Sequence, residues 1–181
     1  MKSFAELAFT PAVRALQERH GSRAAYTRMA GAGPGDGLGP HEAELVAGAD
    51  SFFMATVGES GWPYVQHRGG PRGFLKVISP TRLAFADFAG HRQYVSAGNV
   101  SVDDRVSLIV VEWAAQRRLK FMGRMRFVPV GMAEPALASA VALPGYRART
   151  ERIGLIDVEA FDWNCPKHIT PRFTAEVIES A

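Results

Sequence analysis

The chain has 181 residues, 47% of them hydrophobic and 22% charged, with a formal charge of +3. That is enough for one domain with a real core, or one domain with an added segment. The charge is too small, and too free of Lys/Arg runs, for a nucleic-acid arm. One cysteine, Cys165, excludes an internal disulfide framework and fits a reducing compartment. No apolar run approaches the roughly 20 residues of a membrane-spanning helix. The first residues lack a long apolar stretch and carry Glu6 early, unlike a secretory signal, so a cytoplasmic protein is expected.

Thr10-Pro11 through Gly21 reads as a capped helix. Thr10 offers the N-cap oxygen, Pro11 suits the first helical position, and Gly21 suits the left-handed residue past the end. Ser22 caps a second short helix to about Met29. Residues 31–40 then hold five glycines and two prolines, which breaks regular structure. This stretch reads as a linker, or as a lid or a loop toward a partner subunit; nothing strand-like precedes it, so it is not a phosphate-cradling glycine loop. A short helix is expected over His41–Ala49.

From Asp50 the pattern turns to strands. Ser51–Val57 and Trp62–His67 flank the turn Gly58–Gly61, and Gly73–Ile78 and Arg82–Asp87 flank Ser79–Thr81. His91–Val102 reads as a helix or irregular crossover. Arg105–Glu112 is the most apolar strand. Arg118–Val128 alternates apolar with cationic residues, so one face is buried and the other charged. A small helix over Glu134–Ala142, a strand over Ile153–Phe161 and a terminal helix complete the chain. Six or seven short strands with helices at each end indicate a mainly β fold, a closed or half-open barrel. The strands do not alternate with helices as a parallel α/β sheet requires.

The chemistry concentrates between Gln66 and Asn99. Period-2 alternation places Phe74, Lys76 and Ile78 on one strand face, where a lone Lys is either solvated or aimed into a cavity at an anion. Arg68, Arg72 and Arg92 lie close by in sequence with only Asp87 between them, and four cations there repel unless something negative sits among them. A phosphate is the economical answer. Arg92-Gln93 opens the segment after the strand ending at Asp87, where free backbone N–H groups are available to an anion. Arg supplies a fork to phosphate oxygens and Gln a donor; the bland alternative is an exposed polar pair. Cys165-Pro166-Lys167-His168 could hold an activated thiol, although a lone Cys in such a turn is more often a packed side chain. A turn closing over a ligand, with His168 or Arg172 facing the substrate, is the sharper reading. The five histidines show no metal-ligand spacing.

These residues resemble the pyridoxamine 5′-phosphate oxidase-like flavin-binding split barrels. In that family a strand with a basic residue is followed about ten residues later by a strand end touching the flavin, and then by a basic pair for the phosphate. Lys76, Ala86-Asp87 and Arg92-Gln93 keep those intervals. Arg118, in Gln116–Gly123, matches a later polar residue that reaches the ring, often of the paired subunit. The wording Phe85–Asn99, with Asp162–His168, is similar to the branch described as flavin-nucleotide-binding oxidoreductases. The resemblance spans about Ala49 to Val128 and the tail; the helices before Pro40 add nothing to it. Two departures stand out. The family's C-terminal Arg-x-His substrate element is missing, and Gln93 replaces the second basic residue of the phosphate pair.

The residue pattern gives a helical segment with a Gly/Pro-rich loop over 1–40, and the resemblance implies a split barrel over 41–181. It implies a homodimer with one flavin mononucleotide (FMN) per subunit at the interface and two-electron chemistry on an unidentified small molecule. Arg68, Phe74, Leu75, Lys76, Ala86, Asp87, Arg92, Gln93 and Arg118 would contact the cofactor, with Lys76 or Arg118 stabilising reduced anionic flavin. No acid or base is named. Vitamin B6 is not the expected substrate. A flavin carrier without turnover, or a haem-binding or haem-degrading barrel using His91 or His67, are the competing expectations.

Overall fold

A computed structural model of the chain describes residues 1–31, 37–90 and 92–179. Residues 32–36 of the Gly/Pro-rich stretch and His91 lie outside them.

Helix α1 (Phe4–Ala8) begins with a capping box. The Ser3 hydroxyl accepts from the Glu6 amide and the Glu6 carboxylate accepts from the Ser3 amide, satisfying two end donors reciprocally. Helix α2 (Pro11–Arg19) starts at the Thr10 cap and α3 (Arg23–Gly31) follows Gly21, whose φ is +70°. The ring of Phe9 packs edge-on against Tyr26, 5.5 Å between centroids. Helix α4 (Pro40–Gly48) buries Leu45 and Val46.

The seven strands are β1 (Ser51–Val57), β2 (Pro63–Gly69), β3 (Leu75–Ser79), β4 (Arg82–Phe88), β5 (Arg105–Glu112), β6 (Arg117–Pro129) and β7 (Thr150–Trp163). Helix α5 (Val95–Val102) crosses between β4 and β5, α6 (Pro135–Val141) lies between β6 and β7, and α7 (Ala175–Glu179) ends the described chain. The strands form one antiparallel sheet in the order β2-β1-β5-β6-β7-β4-β3. Its two ends, β2 and β3, are consecutive in the chain, so the sheet curls toward itself and stays open between them. This is the half-open, mainly β barrel expected from the sequence.

The long strands β6 and β7 serve both halves. The register between them shifts at Met122/Gly123, a bulge. A Cβ on Gly123 would lie 2.4 Å from the Asp157 carbonyl oxygen, so only glycine lets the strands approach there. The alternation read in β6 holds: Leu119, Phe121 and Met125 are buried. On the other face Lys120 pairs with Asp162, and Arg124 with Asp104 and Glu159. β1 pairs with β5 over Phe53–Ala55, whereas β4 pairs with β7 from Arg82 to Phe88.

The core contains Phe52, Phe74, Phe85 and Phe121, all essentially inaccessible. Phe52 stacks on Phe74 at 5.6 Å and meets Phe85 edge-on at 5.2 Å. Each such ring contributes about 1.5–3 kcal/mol by burial. A smaller cluster, Ala84, Val141, Ile153 and Leu155, lies on the opposite face of β4 under α6.

Gly154 of β7 faces Phe85, and a Cβ there would lie 2.3 Å from its ring. Gly154→Ala is expected to cost about 1–3 kcal/mol by overpacking. It should lower the urea midpoint at unchanged slope, and an unchanged midpoint would show that the ring has room to move.

Candidate functional site

At the open side of the barrel, the end of β2 faces the end of β4 across a cavity of about 150 Å³. Gln66, His67, Arg68 and Gly69 line it from one side and Phe85 to Phe88 from the other, with Phe74 at the base. The side chain of Asp87, 4% exposed, is its electrostatic centre. Arg68 donates through Nη1 to one carboxylate oxygen of Asp87. Arg152, directly across from Asp87 on β7, donates Nη2 and Nε to the other oxygen at 2.5 and 3.1 Å. Aromatic rings complete the enclosure. The Arg68 guanidinium lies 5.8 Å from the centroids of both Phe85 and Phe127, and that of Arg152 lies 4.5 Å from Phe127 and 5.1 Å from Tyr94.

Two guanidinium groups against one carboxylate leave this sheltered cluster one positive charge in excess. Burial pulls Arg68 below the usual arginine range, Asp87 pulls it back up, and the repulsion of Arg152 adds to the lowering. Its Nε is buried and has no acceptor among the described residues. A buried donor without a partner is costly, and an anionic ligand atom is what satisfies it at a net positive site.

The sequence-named residues separate into groups. Arg68, Phe74, Ala86 and Asp87 line the cavity. Leu75 is buried behind it in the core. Lys76 faces the other way, opposite Ala84, at intermediate exposure. The predicted sharing of a face by Phe74 and Lys76 therefore fails. β3 begins at Leu75, and Phe74 closes the turn from Pro71 with its amide on the Pro71 carbonyl, so both Phe74 and Leu75 are buried. Nor do the four neighbouring cations share one cleft, as repulsion relieved by a phosphate would require. Asp87 is the counter-ion of Arg68, and Arg72 donates to the Gly48 carbonyl at the end of α4 at 3.0 Å.

Arg92 and Gln93 are exposed on the turn from β4 into α5. Arg92 and Tyr94 both have left-handed backbone, φ +58° and +53°. Tyr94 occupies the N-cap of α5 without capping it by side chain, and the first turn carries no acid. Its hydroxyl donates to Glu151 at 2.9 Å, which raises the Tyr94 pKa. Arg118 lies elsewhere. The outward row His67–Phe53–Ile109–Lys120 crosses three strand spacings, about 14 Å, before reaching β6, where Arg118 sits two residues from Lys120. There it donates Nη2 to the Cys165 carbonyl at 3.1 Å, while its Nε is buried without an acceptor among the described residues.

The tail folds over this end. Gln116 donates to the Ile169 carbonyl, and Arg172 stacks on Trp113 at 4.4 Å. Cys165 and His168 are exposed. Among the described residues, no group of His, Cys, Asp and Glu is placed to hold a metal, and no helix is long and apolar enough to cross a membrane.

Arg152 carries as much of this site as Arg68 and was missed in the sequence. It lies 65 residues beyond Asp87, in a strand with no motif around it, and only the β4–β7 register brings the two together. Asp87→Asn should destabilise the fold by about 3–5 kcal/mol, because it strands two sheltered arginines without their counter-ion. Denaturant unfolding measures it, and a loss below about 1 kcal/mol would mean the pair is already hydrated.

A family model described as pyridoxamine 5′-phosphate oxidase matches residues 38–155. No curated protein is significantly similar to the chain. Among solved structures, HupZ from Group A Streptococcus shares 11% identity over 75% of this chain and 99% of its own, at TM-score 0.54. An FMN-binding protein from Syntrophomonas wolfei shares 10% identity over 68% of this chain and 83% of its own, at TM-score 0.52. Identities this low speak for a common fold alone. With the family match extending over more than half its length, this chain belongs to the pyridoxamine 5′-phosphate oxidase family.

Proposed function

We propose that the chain is an FMN-binding protein acting as a cytoplasmic FMN-dependent oxidoreductase. The observation that carries the reading is the net-positive Arg68–Asp87–Arg152 cluster, with the Arg68 Nε unsatisfied among the described residues, at a cavity beside the start of α5. A phosphate-tailed ligand suits both halves of that arrangement. Arg68 supplies a buried donor, and the Arg92–Gln93 turn supplies a guanidinium beside the helix-start amides of α5. Phe74, Ala86 and Asp87 line the wall such a ligand would rest on, with Leu75 and Lys76 on the adjoining strand. Bound flavin contributes two-electron transfer, while the chain binds and orients it and excludes water.

The rest of the reading is a homodimer. A cavity of about 150 Å³ is smaller than the roughly 300–1,000 Å³ of sites that enclose a ligand of this size. Beside it, the outward face of β2-β1-β5-β6 leaves Val65 61% and Phe53 38% exposed, next to half-buried Ile109, Val111 and Met122. A second copy seated there would cover the apolar face and bring its own Arg118 toward the ring.

One observation favours a second reading, haem binding. His67 lines the cavity with its ring exposed and 5.5 Å from Phe53. The spectrum of the purified protein separates the two, since flavin gives a yellow chromophore and haem a Soret band. Failure to take up added FMN removes the first reading.

Arg92→Ala should weaken FMN binding about tenfold or more, the worth of one charge-assisted contact. Unchanged affinity by fluorescence titration would detach the turn from the phosphate. Val65→Glu should convert the dimer to monomer in sedimentation and weaken FMN binding with it. A dimer that persists at unchanged affinity would place the interface on another face.

A further inference from the structure

We propose that Arg152 is a positioning residue for the ligand site, fixing the Arg92–Tyr94 turn to the buried Asp87. The inference rests on the flavin reading and concerns the site's internal support.

Arg92 and Tyr94 are both left-handed, a conformation that a residue with a Cβ avoids unless its surroundings impose it. One support that the structure shows is the pair Glu151-Arg152 on β7. The Tyr94 hydroxyl donates to Glu151 at 2.9 Å, and the Arg152 guanidinium lies 5.1 Å from the Tyr94 ring centroid. The same guanidinium lies 4.5 Å from the Phe127 centroid and directs its N–H edge at Asp87. Asp87 in turn holds Arg68.

One planar group thus connects the two places where a phosphate-tailed ligand would be gripped, the exposed turn and the buried Arg68. The geometry calls for arginine in particular. A guanidinium meets a carboxylate with its edge and aromatic rings with its faces at the same time, which an ammonium does not. Lysine at 152 would keep the charge beside Asp87 and lose the planar contact with the Tyr94 ring, leaving the Glu151 hydrogen bond to hold Tyr94 alone.

The test compares FMN with riboflavin, which lacks the phosphate, on wild type, Arg152→Lys, Tyr94→Ala and the double variant. Circular dichroism and thermal midpoints report that each variant is folded. In Arg152→Lys, FMN affinity should fall about tenfold while riboflavin affinity changes little, so the preference for FMN collapses. Tyr94→Ala should reproduce the loss, and the double variant should add little to it. A merely structural role would weaken both ligands alike or leave the preference intact, and either result overturns the proposal. Hydrogen exchange supplies a readout independent of any ligand. Amides of residues 92–98 should exchange faster in Arg152→Lys while those of β5 do not. Unchanged exchange overturns the proposal whatever FMN does, whereas wild type that takes no FMN overturns the flavin reading alone.

Discussion

A carboxylate shared between two guanidinium groups at the end of β4 is the constraint around which the open side of this barrel is built. Asp87 is nearly inaccessible, and an isolated ion there would be prohibitively costly. Both its oxygens are therefore engaged, one by Arg68 from β2 and one by Arg152 from β7. The cluster joins strands that are not neighbours in the sheet, since β2 is one end of the order and β4 lies next to the other. Backbone pairing leaves the barrel open at this point, and side-chain charge bridges the opening.

The bridge also sets what the opening can do. Charge in excess on the arginine side, an unshared donor on Arg68 and a wall of phenylalanines together favour an anion attached to something flat and apolar. The carboxylate moderates that preference, because the attraction felt by an incoming anion is that of one net charge rather than two. Arg92 on the turn adds a further cation from outside, where it is exposed to solvent and screened.

Much of the architecture was legible in the sequence because it is written locally. The bounds of β1 and β5 follow the apolar runs Ser51–Val57 and Arg105–Glu112 to the residue, and the Thr10 cap with Pro11 opens α2 as composition indicates. The capping box at Ser3 and Glu6 was equally available, in a segment read only for what it is not. The electrostatics were not local. Repulsion among Arg68, Arg72, Lys76 and Arg92 follows from proximity in sequence alone. Proximity in space is set by a register that pairs Asp87 with Arg152, and the negative partner was already in the chain. The misplaced face of Phe74 has a similar origin: alternation applies inside a strand, and the turn from Pro71 shifts where the strand begins.

The unequal seams of the sheet have a mechanical consequence. On one side of the opening, β4 is stitched to β7 along its whole length and cannot swing without tearing that ladder. On the other, the hairpin of β1 and β2 hangs from β5 by the short stretch Phe53–Ala55. Backbone pairing therefore resists displacement of the hairpin less than displacement of β4, and of the two walls the one bearing Asp87 is the more firmly anchored.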